Sequence, residues 1–204
     1  MHFPAVSKDF FSREDVVQIS KDLLGMHIYT CFNDQVTIGK IVETEAYRGA
    51  DDKACHAYNG RRTKRTQTMY LQGGHAYVYL CYGIHHLFNF VVGPKEVANA
   101  VLIRGIEPIE GVHHMLERRN MTYVKYNLTA GPGTLSRALG IGLQHNGLDL
   151  TLPNSPIRLL DKKDRITENN IIASPRVGIG YAKECAAWPW RFRLKGSKWT
   201  SPAK

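Results

Sequence analysis

Thr37-Ile38-Gly39-Lys40-Ile41-Val42-Glu43-Thr44-Glu45-Ala46-Tyr47 is the stretch on which the reading of this chain turns. Its β-branched residues and its alternation of side-chain character predict a strand. Period two then puts Glu43, Glu45 and Tyr47 on one face. Two carboxylates beside an aromatic ring are unusual for a core. They fit either the solvated acidic face of an edge strand or a site that uses a carboxylate chemically.

Upstream, His27 to Phe32 predicts a partner strand, joined to the first through the turn residues Asn33-Asp34. Before it, Ser12 as N-cap with Asp15 at the capping-box position predicts a helix. Its buried face would carry Val16, Ile19 and Leu23, and Gly25 would stop it. Downstream, Arg48 to Gly74 is polar and basic and predicts a long functional surface loop. Strands are expected at Ala76 to Tyr82, His85 to Val92 and Ala100 to Ile106, the first two joined around Gly83. Pro108 to Arg119 predicts a helix with Ile109, Val112, Met115 and Leu116 buried, and a second helix starts near Gly131-Pro132-Gly133-Thr134 with Leu135, Ala138 and Leu139 inward. Short strands at Pro156 to Asp161 and Trp190 to Leu194 complete the pattern. No repeat or linker divides the chain. The expected fold is α+β: a single compact domain over residues 1–204, with a curved antiparallel sheet, surrounding helices and a protruding β-hairpin.

Lys and Arg number 27 against 18 acids, a formal charge of +9. That excess suits a polyanionic partner, since each neutralised phosphate releases counterions. Cys31, Cys55, Cys81 and Cys185 form no C-x-x-C pair and no zinc-finger spacing, so reduced thiols and no metal site are expected. No nucleotide-cofactor loop occurs, so no cofactor is expected either. The start, Met1 to Lys8, lacks an apolar leader, and no apolar run approaches the roughly 20 residues that span a bilayer. A cytoplasmic protein with no membrane partner is the expectation.

Tyr77, Tyr79 and Tyr82 crowd one strand and its turn. Tyr79 and Tyr82 face opposite sides of a regular strand, so packing on one core does not explain both. A protein that flips a base needs one ring to sandwich it and another side chain to fill the vacated stack. Arg104 is a lone cation at the end of the apolar run Val101-Leu102-Ile103-Arg104-Gly105 and, if buried, must find a partner. Glu45 is a candidate. The two would either form a structural ion pair or hold and activate a water between them. Arg61, Arg62, Lys64 and Arg65 suit phosphate, as does the helix start at Gly131 and Thr134. Arg191, Arg193, Lys195 and Lys198, interleaved with Trp190, Phe192 and Trp199, read as a further basic stripe or as packed aromatics with outward arginines.

In order, Val42-Glu43-Thr44-Glu45-Ala46-Tyr47, Asp51-Asp52-Lys53-Ala54-Cys55-His56, Tyr77-Val78-Tyr79-Leu80-Cys81-Tyr82-Gly83, Asn89, Val101-Leu102-Ile103-Arg104 and Arg191-Phe192-Arg193-Leu194-Lys195-Gly196-Ser197 resemble one family. It is the alkyladenine (3-methyladenine) DNA glycosylase family of Aag/Mpg type, and the resemblance spans residues 41–197. It implies a monofunctional enzyme of base-excision repair, acting as a monomer on double-stranded DNA that contains a damaged purine. Glu45 matches the general base that deprotonates the attacking water, and Arg104 the residue that helps hold it. Leu194 stands where a backbone carbonyl completes the site. Tyr47, Tyr79 and His56 match the walls around the flipped base, and Asn89 the residue that crowds the amino group of guanine. Tyr82 matches the wedge in the duplex, with Ile84 beside it where some members have Met. Lys195 and Ser197 join the phosphate contacts, and Thr134 stands where a Lys can occur.

A cationic base such as 3-methyladenine already leaves easily, so a general acid is not essential for it. Neutral lesions need leaving-group protonation, for which no acid is evident. Aromatic walls are expected to favour the cationic base by about 0.5–2 kcal/mol. The rival readings are a helix-hairpin-helix glycosylase, which the strand-rich pattern disfavours, and a non-enzymatic nucleic-acid-binding domain, which leaves Glu45 and Arg104 without purpose.

Overall fold

Gln35–Tyr47 (β2) is the strand around which the others assemble. Its first half pairs with His27–Phe32 (β1) across Asn33 and Asp34, whose φ of 51° and 61° are those of a tight hairpin turn. The structure is a computed structural model and describes residues 5–161 and 165–202; residues 1–4, the first half of the segment read for a leader, lie outside the described residues. Ala76–Cys81 (β3), His85–Val92 (β4) and Asn99–Glu110 (β5) form a meander that reaches β2 on its other side. Ile157–Leu160 (β6) adds to β1, while Ile171–Ser174 (β7) and Arg191–Leu194 (β8) form a ladder that docks on the second half of β2. All these pairings are antiparallel. β2 therefore has neighbours on both sides along its length, which excludes a solvated acidic edge.

Four α-helices are described: Lys8–Ser12 (α1), Val16–Asp22 (α2), Val112–Arg119 (α3) and Pro132–Leu139 (α4). The main core is built from Phe11, Ile19, Leu23, Phe88, Phe90 and Ile103 together with Leu135 and Leu139 of α4. Thr44, on the β2 face turned to α2, donates its hydroxyl to the Ser20 carbonyl. Glu43, Glu45 and Tyr47 point the other way. No described helix is long and apolar enough to cross a membrane.

Several boundaries differ from the sequence reading. Ser12 ends α1 rather than opening a longer helix; Asp15 is the N-cap of α2, its carboxylate accepting the Gln18 N–H at 2.9 Å. Pro108 to Glu110 extend β5, paired with Gly39 and Ile38, so Ile109 is exposed instead of buried. Gly111, at φ 68°, makes the corner and α3 begins only at Val112. The run 48–74 is less of a surface loop than expected, since Cys55, Ala57, Met69 and Tyr70 form a small second core with Tyr77 and Val91. β7 was not legible, being four residues long and mostly exposed.

One irregularity places the chemistry. Between β2 and β5 the register runs Ile41 to Ile106, Glu43 to Gly105 and Thr44 to Ile103. Val42 and Arg104 are each left without an opposite number, a pair of compensating bulges. The Arg104 carbonyl turns instead to the Gly131 N–H at 2.8 Å. Bulges re-aim side chains, and this one brings Arg104 to the side of the sheet that carries Glu43 and Glu45. Gly105 makes it possible: a Cβ there would lie 2.5 Å from the Trp199 carbonyl oxygen and 3.3 Å from Cβ of Glu43.

Gly105→Ala should therefore lower stability by about 1–3 kcal/mol through overpacking. Urea denaturation measures this, and an unchanged midpoint would show that the strap around Trp199 yields freely.

Candidate active site

Glu43 and Glu45 are both fully buried, and they share Arg104 among otherwise different donors. Glu43 Oε1 accepts from Arg104 Nε at 3.1 Å, Arg191 Nε at 2.6 Å and Ser201 Oγ at 2.8 Å. Its Oε2 takes the Ser201 backbone N–H. With four donors from three residues on its two oxygens, Glu43 is an anchor. Arg191, read as part of an exposed basic stripe, is 1 % exposed, because its charge is needed beside Glu43.

Glu45 is held less completely. Oε2 accepts from the Tyr47 hydroxyl at 2.8 Å and lies 3.4 Å from Arg104 Nη1; Oε1 accepts the Val177 N–H at 2.8 Å. A carboxylate offers about four acceptor positions, and one on Oε1 takes no donor from the described residues. Burial pushes the Glu45 carboxyl above its ordinary value, while Arg104, the Val177 N–H and the Tyr47 hydroxyl pull it part of the way back. Burial opposes the charge on Arg104, but Glu45 and Glu43 more than offset it and raise its pKa. The pair thus combines a carboxylate of increased basicity with a guanidinium that stays charged.

Tyr47, Arg104 and Val177, the three groups that touch Glu45, all line a cavity of about 580 Å³. That is within the range of small-molecule sites, roughly 300–1,000 Å³. Tyr79, His56, Tyr77 and Asn89 wall it from β3, β4 and the 48–74 run. Asn89 donates its amide to the Tyr77 carbonyl at 3.0 Å, which fixes its orientation. His56 Nδ1 lies 2.9 Å from the Tyr77 hydroxyl, and burial, then Arg65 and Arg61, push its pKa down to about 4. Burial likewise raises Tyr79, to a value at which its hydroxyl stays protonated.

The β3–β4 hairpin stands at the mouth. Tyr82 has φ 50° and is 88 % exposed, and Ile84 is also exposed. A large apolar ring held in a left-handed turn and left in solvent is costly for a residue with no further contact to make. Gly131 and Thr134 at the start of α4, close to His85 of the hairpin, also line the cavity.

Sequence reasoning missed the groups that position this constellation. Arg176 is buried and bonds Asp52 through both Nη atoms, with Nη2 to Oδ1 at 2.8 Å, and donates to the Ala46 carbonyl at 2.7 Å. It thereby fixes the neighbouring Val177, whose N–H reaches Glu45. Asp52 lies inside a motif quoted above, but nothing local reveals a partner 124 residues away.

Glu45 itself is not among the cavity walls and meets it through Tyr47, Arg104 and Val177, and other predicted residues are not brought there. Leu194 is not among its walls; the side chain packs on the main core and the carbonyl accepts the Ser197 N–H at 3.2 Å. β8 meets Glu45 through Arg191, three residues earlier, and the backbone group that reaches Glu45 belongs to Val177. Lys195 and Ser197 also stand apart from the cavity, as do Arg61, Arg62 and Lys64 on the exposed part of the basic loop. Arg62 is paired with Glu96 and stacked on Tyr70. Arg65 alone of that group lines the cavity. Among the described residues no group of three or more His, Cys, Asp or Glu is placed to hold a metal ion.

A family model described as Methylpurine-DNA glycosylase (MPG) matches residues 9–198. The "Putative 3-methyladenine DNA glycosylase" of Chlamydia pneumoniae is 47% identical over 190 residues, covering 93% of this chain and 94% of that protein. A protein of the same name from Bacillus cereus (strain G9842) is 44% identical over 197 residues, covering 94% and 96%. With the match running over almost the whole chain and through every strand that builds the cavity, this chain belongs to the methylpurine-DNA glycosylase family.

Proposed function

We propose that this chain is a monofunctional, monomeric glycosylase of base-excision repair that hydrolyses the N-glycosidic bond of alkylated purines in double-stranded DNA. The observation that carries the reading is the buried Glu45, one acceptor position short of saturation, behind a cavity large enough for a base and walled by Tyr47, Tyr79 and His56. The damaged nucleotide leaves the stack and enters the cavity, and the exposed Tyr82, with Ile84, takes its place in the duplex. Weak pairing of a damaged base lowers the cost of extrusion. Asn89, pinned on Tyr77, crowds the exocyclic amino group of guanine.

A water on the free position of Glu45 gives it a proton while its oxygen bonds to the sugar C1′. The C1′–N bond breaks with its electron pair going to the base, so a cationic 3-methyladenine leaves neutral and an abasic site remains. Arg104 holds the Glu45 carboxylate in place and orients the water. Arg61, Arg62, Lys64, Gly131, Thr134, Lys195 and Ser197 take phosphates on the flanking DNA, in keeping with the net charge of +9. A cytoplasmic location suits that substrate.

Glu45→Gln should bind lesion-bearing duplex as well as the parent and release free 3-methyladenine from methylated DNA about 10²–10⁴-fold more slowly. Unchanged release would remove Glu45 from the role of base. Tyr82→Ala should weaken capture of a lesion duplex about tenfold or more, with binding of undamaged duplex almost unaltered; titration of both duplexes decides it, and equal losses would make Tyr82 a general DNA contact. Because Glu45 must be ionised and burial raises its pKa, the single-turnover rate should fall as pH drops through a single ionisation above the usual carboxylate range. His56, lowered to about 4, should add no step near its ordinary value. A rate that is flat across that range contradicts the assignment.

A further inference from the structure

Tyr47 and Tyr79 each already carry a guanidinium. Arg176 Cζ lies 4.7 Å from the Tyr47 ring centroid, and Arg65 Cζ lies 4.7 Å from that of Tyr79. The two cations differ in their surroundings. Arg176 is buried and neutralised by Asp52. Arg65 is exposed, lines the cavity and has, among the described residues, no carboxylate within ion-pair distance, whereas its neighbour Arg62 has Glu96.

Arg65 is nonetheless held. Its Nη2 lies 3.2 Å from His56 Nε2. A guanidinium only donates, so Nε2 accepts and the ring proton of a neutral His56 sits on Nδ1, toward Tyr77. His56 stays neutral at working pH and adds no charge. Among the other charged walls and their partners, Arg104 and Arg191 balance Glu43 and Glu45. Arg65 is left as an unbalanced positive charge over an aromatic wall.

We propose that Arg65 is a specificity-determining residue: its guanidinium occupies the face of Tyr79 that a positively charged base would use, and so shifts the balance of excision toward neutral lesions. The inference rests on the glycosylase reading of the same cavity. It runs against the expectation that the tyrosine walls favour a cationic base, because Arg65 already stands over one of those rings. A cationic purine must displace Arg65 or sit beside a like charge; a neutral purine faces neither penalty.

The test is single-turnover excision, at saturating enzyme, of 7-methylguanine (cationic) and hypoxanthine (neutral) from otherwise identical duplexes. Taking the ratio of the two rates within one preparation cancels any change in folded fraction or in DNA affinity. Arg65→Gln should raise the cationic-to-neutral ratio on the order of two- to tenfold, the value of one cation–π contact. Arg65→Lys, which keeps the charge, should stay near the parent ratio. A ratio that is unchanged or lower in the Gln variant, or that rises equally in the Lys variant, overturns the proposal. A parent protein that releases 3-methyladenine but neither of these two lesions overturns this inference alone; one that releases none of the three overturns the glycosylase reading as well.

Discussion

Two carboxylates buried side by side on β2 are tolerable only because arginines are delivered to them, and the rest of the molecule is organised around that delivery. Arg104 comes from β5 through a bulge, and Arg191 from β8. Removing one partner of such a buried pair typically costs about 3–5 kcal/mol, because the remaining charge stays desolvated. The sheet therefore has to close on β2 from both sides before either acid is stable. Ser201 seals the arrangement by giving Glu43 both its N–H and its hydroxyl.

The same charges divide the labour between two neighbouring acids. Glu43, with four donors, anchors Arg104 and Arg191 and is spent structurally. Glu45 shares Arg104 but keeps a free acceptor position and touches the groups that wall the cavity. A second ion pair, Asp52 with Arg176, does for the Tyr47 wall what Glu43 does for Arg104. It stacks the guanidinium against Tyr47 and fixes the strand of backbone that gives Val177 to Glu45. The proposed base, its walls and its donor are thereby held in place by buried ion pairs and not by solvent-exposed contacts.

Much of this was readable along the chain. The alternation in Thr37 to Tyr47 placed Glu43, Glu45 and Tyr47 on one face, because side chains alternate in any strand whatever it pairs with. His85 to Val92 was legible to the residue, and so was the start of α4 at Pro132. Errors fell where local signals compete. Ser12 and Asp15 are both good caps, and only packing decided that the latter starts a helix. Pro108 looked like a helix start, yet at the end of β5 its lack of an N–H costs the ladder little.

The sequence by itself determined the α+β pattern, the acid-rich face of β2, the surplus of basic residues and the tyrosines that crowd the β3–β4 hairpin. These follow from periodicity, turn chemistry and charge, all local or additive properties. Only the tertiary structure decided that Arg191 is buried and not exposed, that Val177 and not Leu194 reaches Glu45, and that Arg65 lies on Tyr79. Each of those depends on a partner far away in the chain, and the energy of a buried charge is set by its neighbours in space.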